Sequence, residues 1–221
     1  MEKMLKTKNV AYWYDKKEHK LFDNVNLEFK EGKLYAIIGS SGSGKTTFLS
    51  LLGGLDKPRA GTIEFQGVPL SKIGLTNYRN HDVSMVFQSY NLFPYMSALE
   101  NILTAMAITK AEHVHDKDYV FEVLEKIGIN KEMAKKKVGR LSGGQQQRVA
   151  IARTMCCDAK LVVADEPTGN LDEQNTFEVL DLFKAVAHEQ NKCVIIVTHE
   201  SMVAQRCDQQ IELKNNEFLI K

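Results

Sequence analysis

The stretch "LYAIIGSSGSGKTTFLSLLGG", residues 34–54, reads as strand, loop and helix in succession, and the fold follows from it. "LYAII" is a short unbroken apolar run, the signature of one buried strand, and "TTFLSLLGG" has helical spacing ended by glycines. Between them "GSSGSGKT", residues 39–46, has the G-x-x-x-x-G-K-[ST] spacing of a phosphate-binding loop in the strand-to-helix context that loop requires. Gly39, Gly42 and Gly44 let backbone N–H groups wrap phosphate oxygens, with Ser40, Ser41, Ser43 and Thr47 completing the run. Lys45 adds positive charge near the β- and γ-phosphates, and Thr46 offers a hydroxyl to Mg²⁺.

Further polar residues sit where a parallel sheet would bring them to the same edge. "LVVADEP" ends an apolar strand on two carboxylates, and in an open α/β sheet that edge is the ligand crevice. Adjacent acids at a strand end are by themselves a solvated turn. With a phosphate loop in the same chain, Asp165 is read as a Mg²⁺ ligand and Glu166 as the base that polarises the attacking water. His199 ends the second buried strand, "VIIVTH", at the equivalent edge, within reach of the γ-phosphate. Gln88 closes "VSMVFQ" and can coordinate Mg²⁺ or orient water without charge. A second loop, "LSGGQQQRVAIAR" at 141–153, places Ser142, Gly143 and Gly144 before a run of helix formers, so that free N–H groups stand at a helix N-terminus, an anion-binding geometry. What a second phosphate loop serves is the question the sequence poses.

Length and composition bound the answer. The 221 residues suit one well-buried core with a smaller lobe. A formal charge of +1 offers no field to gather a polyanion, which argues against nucleic acid as a partner. The longest apolar runs have strand length, far short of a membrane span, and "MEKMLKTKNV" contains no apolar signal region. Cys156, Cys157, Cys193 and Cys207 lack a C-x-x-C spacing and suit buried thiols in a reducing compartment; His113 and His115 suit a solvated helix start.

Along the chain, "MLKTKNVAYWY", "LFDNVNLEF", "KLYAIIG" and "GTIEFQG" predict an antiparallel β layer in the front third. "SALENILTAMAI" opens a helical insertion, with Ser97 as N-cap and Glu100 at the capping-box position, and "YVFEVLEKIGI" continues it. Strand "KLVVAD", helix "NTFEVLDLFKAVAHE" and strand "KCVIIVTHE" then have the rhythm of a parallel α/β sheet, and "QIELKNNEFLIK" reads as a hairpin turning at Asn215 and Asn216. The chain is thus read as one domain, 1–221, with 1–90 and 155–221 as core and 91–154 as helical subdomain.

In order, "GSSGSGKT", "VFQ", "LSGGQQQR", "LVVADE", "GNLD" and "VTHE" resemble the nucleotide-binding subunit of an ATP-binding-cassette (ABC) transporter, from Val10 to the final hairpin. The resemblance implies an α/β P-loop NTPase fold with an ABC-type antiparallel β subdomain and an inserted helical subdomain, ATP and Mg²⁺ as cofactors, and hydrolysis of ATP. It also answers the question of the second loop. Two such cassettes pair head to tail, so that Ser142, Gly143, Gly144 and Gln145 of one copy complete the phosphate site of the other, with Asp172 at the interface. Tyr14 matches the aromatic that stacks on adenine, with Tyr12 and Trp13 close enough to leave the choice open. "GGLDKPRAGTIEFQG" and "NLFPYMSALENI" are similar to the branch of macrolide exporters, lipoprotein-release systems, bacitracin-type resistance transporters and the cell-division cassette. That branch implies a transmembrane permease, an extracytoplasmic adaptor in some systems, and a peripheral site on the cytoplasmic face of the membrane. Either transport, as export or peptide and antibiotic resistance, or an ATP-switched regulatory role fits. "SYNLFPYM", with Tyr90, Leu92, Phe93, Tyr95 and Met96, suits a grip on a short permease helix, although Leu92 and Phe93 read equally well as core. The "TAMAITKAEHVHDKD" and "AKKKVGR" stretches lack the prolines usual before the signature.

Overall fold

Residues 3–221 are described by the structure, a computed structural model; Met1 and Glu2, which open the "MEKMLKTKNV" stretch, lie outside the described residues. The chain begins with β1 (Lys3–Trp13), β2 (Lys20–Val25), β3 (Glu28–Lys30), β4 (Lys33–Ile38) and α1 (Lys45–Leu52). It continues through β5 (Ala60–Phe65), β6 (Val68–Pro69), α2 (Leu70–Ile73), α3 (Leu75–His81) and β7 (Val83–Phe87). Helices α4 (Ala98–Thr109), α5 (Lys117–Lys126), α6 (Lys131–Ala134) and α7 (Gly143–Cys156) follow. The last part is β8 (Leu161–Asp165), α8 (Glu173–His188), β9 (Cys193–Thr198), α9 (Ser201–Ala204), β10 (Gln209–Lys214) and β11 (Glu217–Ile220).

Two sheets enclose α1. One is antiparallel, ordered β2-β1-β5-β6 with β3 also on β1; the other is ordered β11-β10-β4-β9-β8-β7 and is parallel except for β11. The front third is therefore not a single antiparallel layer, because β4 of "KLYAIIG" leaves it for the centre of the parallel sheet. The reason is its pattern: Leu34, Tyr35, Ala36 and Ile37 are all buried, so both faces of β4 are covered, as a parallel strand flanked by helices requires. Phe22 of β2, Phe48 of α1 and Phe218 of β11 pack ring against ring, at 5.4 Å (Phe22–Phe48), 5.7 Å (Phe22–Phe218) and 4.4 Å (Phe48–Phe218), and join the two sheets around the helix.

The helical insertion has its own core, in which Ile102 and Met106 of α4, Val120 and Leu124 of α5 and Val149 of α7 are fully buried. Helix α4 starts as its sequence dictates, with the Ser97 hydroxyl accepting from Glu100 N–H and the Glu100 carboxylate accepting from Ser97 N–H. The other face of α7 lies on α8 and β7, so this helix spans both lobes. His113 and His115 lie in the turn before α5, where His113 stacks on Tyr119 at 4.3 Å. The hairpin turns at Asn215 and Asn216, both left-handed (φ 51° and 65°).

Helices α2 and α3 have no counterpart in the sequence reading. They do a definite job: Tyr78 Oη donates to Leu52 O (2.8 Å) and Arg79 Nη1 to Gly54 O (2.6 Å), satisfying carbonyls at the C-terminus of α1. Among the described residues no helix is long and apolar enough to cross a membrane.

Candidate active site

Register in the parallel sheet decides which side chains meet. Ile38 pairs with Thr198, Val197 with Asp165, and Asp165 with Phe87, so the residues that follow, Gly39, His199, Glu166 and Gln88, emerge side by side at the C-terminal edge.

The phosphate loop closes around its own lysine. Lys45 is buried, and its ammonium donates to Gly39 O (2.9 Å) and Ser40 O (3.0 Å). Gly44 caps α1 at φ 107° and Gly42 has φ 76°, conformations a β-carbon resists. Ser43 Oγ is buried without a hydrogen-bond partner, while Ser40, Ser41 and Gly42 face solvent. A hydroxyl left unpaired inside a loop of N–H groups fits a site that a phosphate completes. Thr46 Oγ1 donates to Asp165 Oδ1 (3.1 Å), which brings two hard oxygen donors together from α1 and β8, a donor set suited to Mg²⁺. Burial raises the Asp165 pKa above its ordinary value, with the Glu166 charge adding to it and the Thr46 hydrogen bond and Lys45 opposing it. A bound cation would reverse that balance.

Beside the loop lies a cleft of about 300 Å³ lined by Tyr14, Leu21, Gly42, Gly44 and Lys45–Thr47. Of the three aromatics, Tyr12 is buried with its hydroxyl donating to Asp56 (2.6 Å), and the half-buried Trp13 offers only a carbonyl, to Arg59. Tyr14 is 61% exposed, at the cleft, and shares a 2.6 Å hydrogen bond with Thr47 Oγ1.

Glu166 and His199 form a pair. His199 Nδ1 stands 2.9 Å from Glu166 Oε1, and His199 N–H donates to Glu166 Oε2 at 3.3 Å. Glu166 sits in left-handed backbone, φ 44°, an unfavourable conformation for a non-glycine residue that is common where a side chain is aimed for function. Gln88 does not join Thr46 and Asp165. Its amide donates to Asn170 Oδ1, and Asn170 Nδ2 donates back to Gln88 O, both at 3.2 Å, so it is tied to the loop that carries "GNLD". Sequence reasoning missed Asn170, whose partner is 82 positions away.

The second loop is also built as its sequence suggests. Ser142 caps α7: its hydroxyl accepts from Gln145 N–H (3.3 Å), and Gln145 Oε1 accepts from Ser142 N–H (2.9 Å). The Ser142 hydroxyl and the Gln145 amide oxygen are thereby used within the chain, which leaves the N–H groups of Gly143 and Gly144 without partners among the described residues. A β-carbon on Gly143 would stand 2.9 Å from the Tyr90 hydroxyl, and one on Gly144 would stand 2.8 Å from Asn175 Cγ and closer still to Oδ1. Any side chain at 144 therefore disturbs the fold of its own chain. No hydrogen bond or ion pair links residues 142–145 to the 39–47 loop among the described residues. Of the "SYNLFPYM" aromatics, Phe93 and Tyr95 point outward (44% and 64% exposed), whereas Tyr90 and Leu92 pack inward. The four thiols are unpaired, with Cys156, Cys157 and Cys193 buried; burial pushes Cys156 and Cys207 up to about 12.

A parallel sheet whose strand-to-helix loop wraps a lysine, with carboxylates at the end of β8, one strand beyond β4's neighbour β9, defines a P-loop nucleoside triphosphatase. The sequence profile of the ABC transporter family matches residues 22–169, and the chain belongs to that family as an ATP-binding, ATP-hydrolysing cassette. It is 52% identical over 218 residues to the uncharacterized ABC transporter ATP-binding protein YclH of Bacillus subtilis (strain 168), covering 99% of this chain and 96% of that one. To YvrO of the same organism, also an uncharacterized ABC transporter ATP-binding protein, identity is 35% with 98% and 96% covered. Among solved structures it is similar to the bacterial ABC transporter cassette MJ0796. The dimeric form gives a TM-score of 0.85, 36% identity and coverage of 97% and 96%. The dimeric post-hydrolysis form bound to ADP and Pi gives 0.86, 35%, 99% and 98%. It also resembles cbiO1 of Clostridium perfringens, part of the ABC transporter complex cbiONQ (TM-score 0.86, 27% identity, 99% and 88% covered).

Proposed function

We propose that this cassette works as a head-to-tail homodimer, peripheral to the membrane, which drives a transmembrane permease by binding ATP across two shared sites and hydrolysing it. The observation that carries the reading is the start of α7. Its Gly143 and Gly144 N–H groups are free to take an anion, and among the described residues no hydrogen bond joins them to the phosphate loop of their own chain. The dimers formed by the MJ0796 cassette support it.

In this reading Gly39–Thr47 cradle the phosphates, Lys45 turns from its loop carbonyls to the γ-phosphate, and Tyr14 stacks on adenine. Thr46, Asp165 and Gln88 hold Mg²⁺, Gln88 after leaving Asn170. When bound, Mg²⁺ screens the phosphate oxygens and steadies charge developing on them. Glu166 takes the proton of the attacking water, while His199, 2.9 Å from its carboxylate, orients it and faces the γ-phosphate. Ser142, Gly143, Gly144 and Gln145 close the partner copy's site. Phe93 and Tyr95 offer the permease an exposed aromatic surface beside the Gln88 segment. The motif similarity to macrolide-export, lipoprotein-release and bacitracin-resistance cassettes supports export or resistance as the direction, with an extracytoplasmic adaptor as a further partner.

The experiment mixes two inactive variants in the membrane-assembled complex. Lys45→Ala removes the phosphate charge from a chain's own site. Ser142→Asp keeps a good N-cap but sets a carboxylate against the partner's phosphate. Each homodimer should be inactive. In mixed dimers one whole site is restored, so recovery reaches at most about a quarter of wild type if pairing is random and the sites act independently. No recovery, with mixed dimers shown to form and a wild-type/mutant dimer shown to be active, would mean that the second loop serves its own chain.

A further inference from the structure

Near the end of α7, Arg153 reaches back to the segment that follows Gln88. Its Nη1 donates to Asn91 O (2.7 Å) and its Nη2 to Tyr90 O (3.3 Å), and neither carbonyl has another donor among the described residues. Tyr90 and Asn91 are consecutive residues in left-handed backbone, φ 63° and 48°. Asparagine tolerates that region, but for tyrosine it is uphill, so the turn needs something outside itself to hold it. Locally it has three short-range bonds, Tyr90 N–H to Phe87 O (3.0 Å), Asn91 N–H to Ser89 O (2.7 Å) and Ser89 Oγ to Asn91 Oδ1 (3.0 Å), none of them to the carbonyls of Tyr90 and Asn91. The Tyr90 ring leans on the other end of the same helix, at Gly143. Helix α7 therefore grips this turn twice, at its first residue and in its last turn. The turn lies immediately after Gln88, whose amide is held by Asn170.

We propose that Arg153 is the positioning residue for Gln88: its planar fork fixes the two left-handed carbonyls, and with them the direction of the Gln88 side chain relative to the phosphate loop. The Gln88 segment and the signature helix then move as one body, and whatever shifts α7 re-aims Gln88 toward or away from Thr46 and Asp165. Lysine replaces the fork incompletely: one ammonium can meet two consecutive carbonyls, as Lys45 does, but only from a single nitrogen, without the rigid pair of donors on two separate nitrogens that sets their relative direction. The proposal rests on the reading of Gln88 as a participant in the nucleotide site.

The test uses Arg153→Lys, Gln88→Ala and the double variant in the full chain, with Arg153→Gln taking the place of Arg153→Lys should that variant not fold. Without nucleotide, amide hydrogen exchange of Tyr90 and Asn91 should rise at least about fivefold in Arg153→Lys while exchange in α1 is unchanged. In ATP hydrolysis by the assembled complex, Arg153→Lys should lower kcat about tenfold with KM for ATP within about twofold. Added to Gln88→Ala, it should change kcat by less than about twofold, because its effect runs through Gln88. Unchanged exchange at 90–91, or losses that multiply in the double variant, overturns the proposal while leaving the role of Gln88 intact. Gln88→Ala with kcat within about twofold of wild type removes the reading of Gln88 and this proposal with it.

Discussion

Replacing Glu166 by glutamine should separate catalysis from folding. The glutamine keeps the length and shape of the side chain, and it occupies the φ 44° backbone at the same cost as glutamate. Its amide oxygen can still accept from His199 N–H, and its NH₂ can donate to His199 Nδ1 in the tautomer that carries the ring proton on Nε2, so both contacts have a counterpart. Loss of one of them would cost at most about 1 kcal/mol. For a chain of this size that lowers Tm by about 2–4 °C at most. ATP binding should survive, since among the described residues no hydrogen bond or ion pair joins the Glu166 side chain to the 39–47 loop. Hydrolysis should fall about a hundredfold or more, the range for loss of a general base, equivalent to about 2.7 kcal/mol of barrier. Phosphate release by the membrane-assembled complex measures the loss, a fluorescent nucleotide measures binding, and gel filtration with ATP should show a trapped dimer. Steady-state hydrolysis within about threefold of wild type, in folded and nucleotide-loaded protein, would refute the assignment of Glu166 as base.

Gly144→Ala should destabilise the isolated chain by about 1–3 kcal/mol, because its β-carbon meets an Asn175 side chain pinned by two hydrogen bonds from its Nδ2 to the Asp172 carboxylate. Thermal melts should show most of that loss recovered when Asn175→Ala is added. Tyr14→Ala should raise KM for ATP about fivefold with little effect on Tm, whereas Tyr12→Ala, which empties a core site, should cost about 3 kcal/mol in denaturant titrations. Burial raises the Asp165 pKa above 3.8, so the folded chain holds that proton to higher pH than the unfolded chain does; stability from this group is full at low pH and falls as pH rises through the raised value. In metal-free buffer Asp165→Asn should therefore melt above wild type at pH 7, with the gap closing toward pH 4, and an equal gap at both pH values would count against it.

Much of the architecture was legible because it is written locally. A strand, a glycine loop and a helix stand in one stretch of 21 residues, the Ser97–Glu100 box lies within four residues, and the hairpin is announced by adjacent asparagines. What was not legible depends on distant partners or on pieces too short to have a period. Helices α2 and α3 are four and seven residues long and lack side-chain caps, so nothing in "PLSKIGLTNYRNH" sets them apart from a loop except a tyrosine that turns out to be fully buried. β4 looked like its neighbours in sequence and differed only in having both faces apolar. Which of Tyr12, Trp13 and Tyr14 is exposed needed the end of β1: Tyr12 still faces the core, while Tyr14 lies just past the last strand residue and borders the cleft.

The signature glycines carry two constraints that the sequence shows as one. An anion site explains why backbone N–H groups must be reachable, and it does not explain why both residues lack a side chain. The structure supplies the second reason: Gly143 makes room for the Tyr90 hydroxyl and Gly144 for the Asn175 carboxamide, so the start of α7 touches the Gln88 segment on one side and the "GNLD" helix on the other. Asn170 ties those two segments to each other through Gln88, which closes a ring of contacts around the helix start. A lost phosphate contact and a distorted ring would look alike in hydrolysis measurements on any variant of Gly143 or Gly144. Ser142 is free of this ambiguity, because its side chain faces solvent and an aspartate there can make the same capping bond. It follows that the charge at position 142, rather than the bulk at 144, is the variable that tests whether the second loop serves a partner's nucleotide.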